Sequence, residues 1–396
     1  MFHHIEAYAG DPVLTLFEAY QQDTRANKVS LSIGIYHDDA GQLPLLELVR
    51  RMEVTLAGEG LTRSYLALEG LPAYREHVQR LIFGATCAAL QARRIVTIQT
   101  IGGSGALKVG ADFLKRSFPH SGVYVSDPTW DNHRGIFEGA GFAVGDYPYY
   151  DADKGSVRFA EMLATISSLP QHSIVLLQPR CHNPTGMDLS RAQWQQLVPV
   201  LVQKRLIPFL DIAYQGFGDG MEEDAWEVRE LAASGASFFV ANSFSKNLGL
   251  YGERCGGLSV VCPDEEQALR VLGQLKFAVR RNYSSPPTHG AQLVARLLAD
   301  PQLSAEWHLE VARMRERMRA MRRQLHDVIS AQVPGRDFSY LVKQRGMFSY
   351  TGLSEQQVDS LRERHAVYLV RSGRLCVAGL NSGNVDYVAQ SMAQVL

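Results

Sequence analysis

The 396-residue sequence predicts an α/β fold, a mostly parallel sheet covered by helices, joined to a smaller α+β domain. Three observations predict it. Short β-branched apolar runs alternate with longer helical stretches through the middle of the chain. Those runs lack a strict apolar–polar alternation, which is the pattern of strands buried on both faces. The length also exceeds what one hydrophobic core usually supports.

The first strand is RIVTIQT (94–100), followed by a loop with Gly102, Gly103 and Gly105 and the helical run ALKVGADFLKR. Further strands are expected at 122–126, 173–178, 206–211, 237–242 and 257–262. A long helix over 303–331 carries Trp307, Val311, Met314, Met318, Met321, Leu325 and Val328, whose alternating steps of four and three make one apolar stripe. Interleaved with it are Arg313, Arg315, Arg317, Arg319, Arg322 and Arg323, broken up by Glu310, Glu316 and Asp327. They read as a solvated face and not as a nucleic-acid patch. Beyond it, FSYLV and GMFSYTG look like hairpin strands, and LSEQQVDSLRERHAV is another amphipathic run. The expected organisation is an N-terminal arm (1–11), a small domain (12–43 with 314–396) and a large domain (44–313).

Composition narrows the function. Forty Lys+Arg against 41 Asp+Glu leave a net charge of −1, which argues against nucleic acid or an anionic membrane as partner. Five scattered cysteines, with no metal-ligand spacing, suit a reduced cytoplasmic setting. MFHHIEAYAGDP has neither the basic nor the apolar region of a signal peptide, and no apolar run approaches the roughly 20 residues that span a bilayer.

The segment SFSKNLGLYGER carries the sharpest chemistry. A strand runs into Ser243, Ser245 and Lys246, and Arg254 follows eight residues after the lysine. A partly desolvated lysine suits imine chemistry, and hydroxyls with an arginine hold a phosphate monoester. Asp211 and Tyr214 end the run LIPFLDIAY, Asn183 lies in CHNPTG, and Trp130 lies in DPTWDNH. Gly103 and Ser104 open a helix, whose N-terminus favours a phosphate. All follow the carboxyl ends of expected strands, where open α/β sheets place ligands. An amine, an acid for a ring nitrogen, donors for a phenolate, an aromatic plane and a phosphate cradle are together the demands of pyridoxal 5′-phosphate.

SFSKNLGLYGER, LDIAYQGF, CHNPTG, DPTWDNHRGIF and QTIGGSGALKVGADFL resemble the motifs of the fold-type I, class I aminotransferases, most closely the bacterial aromatic (tyrosine) branch of the aspartate aminotransferase family. The resemblance runs from Asp11 to SGRLCVAGLNSGNV. It implies that Lys246 forms the imine with the cofactor and moves the Cα proton. It implies that Asp211 pairs with the pyridine nitrogen, that Tyr214 and Asn183 bond the 3-oxygen, and that Trp130 stacks on the ring. Gly103, Ser104, Ser243, Ser245 and Arg254 would hold the phosphate, and Tyr65 would reach the phosphate of a neighbouring subunit in a homodimer with shared active sites. Arg374, with Asn183 and Gly34, would take the substrate α-carboxylate. Arg280, rather than its neighbour Arg281, would be donated by the partner to a side-chain carboxylate. Phe348 and His133 fit supporting positions.

Ser104 and Ser285 stand where the aspartate-selective branch has Thr and Asn, and His37 stands where it has a lysine, beside Ile35, Tyr36 and Leu43. Losing that cation lowers the cost of burying an aromatic ring. The implied reaction is ping-pong amino transfer from tyrosine or phenylalanine, and also aspartate, to 2-oxoglutarate. The alternative is an aspartate aminotransferase with weak aromatic activity. Other readings are a β-lyase or decarboxylase on the same cofactor, a dinucleotide-binding protein and a cofactor-fold regulator. GGSGA departs from G-x-G-x-x-G, which weakens the dinucleotide reading. Gln178 and Arg180 depart from the family's usual His and small residue or Cys, and Gln178 is expected to weaken the network behind Asp211. Cys181 and His182 are expected to be structural.

Overall fold

The computed structural model describes residues 1–7 and 10–396; of the expected N-terminal arm, Tyr8 and Ala9 lie outside the described residues. The chain divides into two compact units, Leu45–Glu316 and Met1–Pro44 with Arg317–Leu396.

The larger unit is built on seven strands: β1 (Ile95–Ile101), β2 (Val123–Asp127), β3 (Val144–Pro148), β4 (Ile174–Leu177), β5 (Ile207–Ile212), β6 (Phe238–Ser243) and β7 (Cys255–Val261). Their order across the sheet is β1-β7-β6-β5-β4-β2-β3. The pairs β6/β5, β5/β4, β4/β2 and β2/β3 are parallel, while β7 runs antiparallel to both β1 and β6. Strands β4 to β7 are buried along their whole length, as their unbroken apolar runs require. Edge strand β3 has no counterpart in the sequence reading. VGDYP contains three residue types depleted in strands, and pairing to β2 outweighs that propensity.

Helix α1 (Gly102–Ser117) leaves β1 and packs on β7 and β6, with Leu107 and Leu114 set against Phe209, Phe239 and Leu258 of the core. Each such side chain contributes about 2 kcal/mol on burial. That packing fixes where the N-terminus of α1 ends. Helix α2 (Asp131–Glu138) follows β2, and helix α3 (Glu265–Asn282) packs on β1 and α1.

Helix α4 (Pro301–Gln332) gives Pro301–Glu316 to the larger unit and the rest to the smaller. Its stripe from Trp307 through Leu325 is buried and ends on Ile329, not Val328, because a helix drifts from a strict seven-residue repeat.

The arginines of α4 are not one solvated face. Arg322 is buried in the smaller unit and donates to the carbonyls of Leu341, Gly346 and Phe348 and to Ser349 Oγ. Arg317 donates to the carbonyls of Asp38 and Leu380, and Arg315 to that of Gly216, at 2.9 Å.

Elsewhere in the smaller unit, Val29–Ser30 pairs parallel with Val367–Tyr368, and Phe348–Tyr350 antiparallel with Arg374–Cys376. The FSYLV segment is not a strand: Tyr340–Lys343 is one helical turn, and the partner of GMFSYTG comes from the distant RLC. Helix Glu355–His365 is closed by a capping box between Ser354 and Gln357.

Replacing Arg322 with Met strands several buried acceptors and should cost about 3 kcal/mol. Arg323→Ala, at an exposed position of the same helix, should stay within about 0.5 kcal/mol of the parent. Urea unfolding measures both, and equal effects would show that Arg322 is not a structural anchor.

Candidate active site

Strand order brings the chemistry together. Strands β6, β5, β4 and β2 are consecutive neighbours, and the segments leaving them carry Lys246, Tyr214, Asn183 and Trp130, while Asp211 lies near the end of β5 itself. One cavity in the larger unit is lined by Gly103, Ser104, Trp130, Asn183, Asp211, Tyr214, Ser243, Ser245, Lys246 and Arg254. Leu107, Gln178 and Ala213 line it too.

Asp211 is almost fully buried, and its Oδ2 lies 2.9 Å from Nε2 of the fully buried His133. Thr129 Oγ1, 2.8 Å from Nδ1 of the same ring, fixes the imidazole from the other side. The spacing of four between Thr129 and His133 is the sequence signal for this contact. Trp130 meets His133 edge-on at 5.2 Å.

Lys246 is half-buried, with Nζ 5.1 Å from the centre of the Tyr214 ring. The residue after it is anchored twice. Asn247 Nδ2 donates to the Gln215 carbonyl at 3.1 Å, and Trp307 Nε1 of α4 donates to the Asn247 carbonyl at 2.7 Å. The lysine thus leaves a rigid support. Asn183 Nδ2 donates to the Tyr214 hydroxyl at 3.4 Å, so the two polar groups already face each other.

The opposite end of the cavity is an anion cradle. Ser243 Oγ accepts from the Ser245 backbone N–H at 3.2 Å and lies 3.1 Å from Ser245 Oγ. Arg254 Nη1 donates to Ser245 Oγ at 3.4 Å and to the Tyr251 carbonyl at 2.9 Å. Gly102 has φ +73°, and a side chain there would place Cβ 2.6 Å from Arg254 Nη2. Only glycine lets the guanidinium close on the N-terminus of α1, where the helix dipole adds to the attraction for an anion.

Gln178 is not part of a network behind Asp211. Its carboxamide clamps the backbone of Asn183, accepting from the N–H and donating to the carbonyl, both at 2.9 Å. His182 is buried, stacked on Tyr149 at 4.0 Å, with its ring nitrogens at 2.9 Å from the Ser126 and Thr185 hydroxyls. Burial, then the nearby His133, pushes its pKa well below the ordinary value.

The remaining sequence-derived residues do not line this cavity. Tyr65 is 94% exposed. Arg280 is exposed near the end of α3 and donates to Ser284 Oγ at 2.5 Å. Gly34 and Arg374 belong to the smaller unit. Arg374 is buried there, donates to the Ser32 carbonyl at 2.8 Å and lies over the Phe348 ring at 4.6 Å. A Cβ on Gly34 would fall 2.9 Å from the same ring.

The profile of the aminotransferase class I and II family matches residues 26–392. The aromatic-amino-acid aminotransferase of Escherichia coli (strain K12) is 57% identical over 397 residues, covering 100% of each chain. The aspartate aminotransferase of Pseudomonas aeruginosa is 48% identical over 396 residues, again covering 100% of each. Among solved structures, the aromatic-amino-acid aminotransferase from Burkholderia pseudomallei covalently bound to pyridoxal phosphate is similar with a TM-score of 0.98 at 49% identity, covering 100% of this chain and 99% of that one.

The Gly102→Ala variant should bind a phosphate monoester at least about tenfold more weakly, the equivalent of roughly 1.4 kcal/mol. Titration of the cofactor-free protein with pyridoxal 5′-phosphate reads this, and an unchanged affinity would show that the close approach of Arg254 to Gly102 is not needed.

Proposed function

The chain belongs to the aminotransferase class I and II family, and from that membership we propose a pyridoxal-5′-phosphate-dependent aromatic-amino-acid aminotransferase. It moves the amino group of tyrosine or phenylalanine, and also of aspartate, to 2-oxoglutarate in two half-reactions. The carrying observation is the single cavity that joins Lys246, Asp211 and the Ser243–Ser245–Arg254 cradle.

The residues fit the cofactor group by group. The cradle that a Cβ on Gly102 would fill suits the phosphate, the buried Asp211 suits a pyridinium, and the facing Asn183 and Tyr214 suit the 3-oxygen. When bound, pyridoxal 5′-phosphate supplies a carbonyl carbon for an amine and a ring that accepts the electron pair left at Cα. Lys246 Nζ would hold the cofactor at that carbon, and as a free amine it would be the base that moves the proton of the substrate Cα. Asp211, oriented by His133, would hold a proton on the ring nitrogen. Asn183 and Tyr214 would donate to the 3-oxygen, and Trp130 would stack on the ring. Gly103, Ser104, Ser243, Ser245 and Arg254 hold the phosphate.

Arg374 and Gly34 receive the α-carboxylate. Arg280 receives the side-chain carboxylate of aspartate or glutamate, and Tyr65 binds phosphate, each across the interface of a homodimer. The exposure of Tyr65 and Arg280 in the single chain supports that assembly. We base the preference for aromatic substrates on His37, whose cationic form is disfavoured by burial and then by the charge of Arg317. We place the enzyme in the cytoplasm: all five cysteines are free, and among the described residues no helix is long and apolar enough to cross a membrane.

Purified protein should show a pH-dependent near-visible cofactor band that disappears in Lys246→Ala, and failure to bind the cofactor would overturn the reading. Arg374→Ala should lower kcat/KM for every amino acid by about 30-fold or more, since removing one partner of a buried charge pair costs 2–5 kcal/mol. Arg280→Ala should impair aspartate far more than phenylalanine. Equal injury by the two variants would refute the two-arginine assignment, and a very large preference of the parent for aspartate would refute the aromatic one.

A further inference from the structure

Asn183 and Tyr214, the two donors that meet at 3.4 Å, stand on separate loops, and each loop is folded around a carboxylate, the half-buried Asp188 and the fully buried Asp224. Asp188 accepts from the backbone N–H groups of Cys181 and His182, both at 3.0 Å. Asp224 accepts from those of Gly216, Gly218 and Asp219 at 2.8, 2.9 and 2.8 Å. Cys181 is left-handed at φ +56°, a conformation that a non-glycine residue keeps only when its surroundings hold it.

Arg180 lies between the two loops, three residues before Asn183. It is 8% exposed, with Nη2 2.8 Å from Oε1 of the fully buried Glu227 and Nη1 3.6 Å from Asp219 Oδ2. Asp188 and Asp224 also lie within its field. Burial pushes Glu227 up to about 7 and Asp188 up to about 6, each against the opposing pull of Arg180. This single cation, carried by the Asn183 loop, pairs with Asp219 of the Tyr214 loop and with Glu227 of the helix that follows. Its fork reaches both partners at once, which a point charge on a lysine lacks.

We infer that Arg180 is a positioning residue: its guanidinium staples the Asn183 loop to the Tyr214 loop and so sets the separation at which both donors meet the cofactor's 3-oxygen. The inference rests on the cofactor-binding reading above. A purely structural arginine would instead only neutralise buried acids, and the two roles separate experimentally.

Arg180→Met alone leaves several buried carboxylates without a counter-charge, and its effect would mix folding with positioning. The double variant Arg180→Met with Glu227→Leu removes cation and main anion together, and the thermal midpoint of its cofactor-free form reports the fold. The pH midpoint of the near-visible cofactor band reports hydrogen bonding to the 3-oxygen. A stapling role predicts a folded double variant whose band midpoint rises by about one pH unit, a tenfold gain in proton affinity. Adding Asn183→Ala to it should then move the midpoint less than the same change does in the parent. A folded double variant with the parent midpoint would overturn the inference. If the double variant does not fold, Arg180→Lys decides between the two roles, because it keeps the charge but not the fork: a raised midpoint supports the staple and an unmoved one overturns it. A parent protein with no cofactor band would overturn the functional reading itself, a result distinct from either.

Discussion

A carboxylate buried at the end of a central strand is the constraint on which the rest of the site depends. Asp211 lies in β5, which is buried along its whole length, and the hydrogen bond from His133 is what allows a carboxylate there. The strand's neighbours on either side then determine what surrounds it. β4 delivers Asn183 and β6 delivers Lys246, so an acid, an amide and an amine converge because three adjacent parallel strands end on the same edge. The antiparallel β7 closes the arrangement by bringing Arg254, the residue just before it, to the N-terminus of α1.

Nearly neutral chains can still be strongly cationic locally. The net charge of −1 conceals Lys246 and Arg254 in one cavity of the larger unit and Arg374 buried in the smaller. Arg254 donates to the Ser245 hydroxyl and the Tyr251 carbonyl, Arg374 donates to the Ser32 carbonyl and lies over the Phe348 ring, and Lys246 lies beside the Tyr214 ring. Arg180 and Arg322 are the contrasting case: one is paired with the buried Glu227, the other with backbone carbonyls.

Much of this was legible in the sequence. Lys246, Asp211, Asn183 and Trp130 each sit at or just after a β-branched run, and that spacing carries both the strand and the position of its end. What was not legible depends on contacts distant in sequence. Arg322 and Arg323 are adjacent in one helix, and only the packing of Phe348–Tyr350 decides that one is buried and the other exposed. FSYLV has the composition of a strand but lacks a partner beside it, since GMFSYTG pairs with a segment more than twenty residues further on. Gln178 was recognisable as unusual, yet its bonds to Asn183 follow from how the loop turns back, which no local pattern records.

Everything proposed for the reaction turns on whether the Asp211 carboxylate keeps the cofactor's ring nitrogen protonated. The direct measurement is the NMR shift of an isotope-labelled pyridine nitrogen in cofactor bound to the parent and to Asp211→Asn, both at neutral pH. A protonated nitrogen in the parent and a neutral one in the variant is the expected pair. The same protonated shift in both proteins would contradict that role for Asp211.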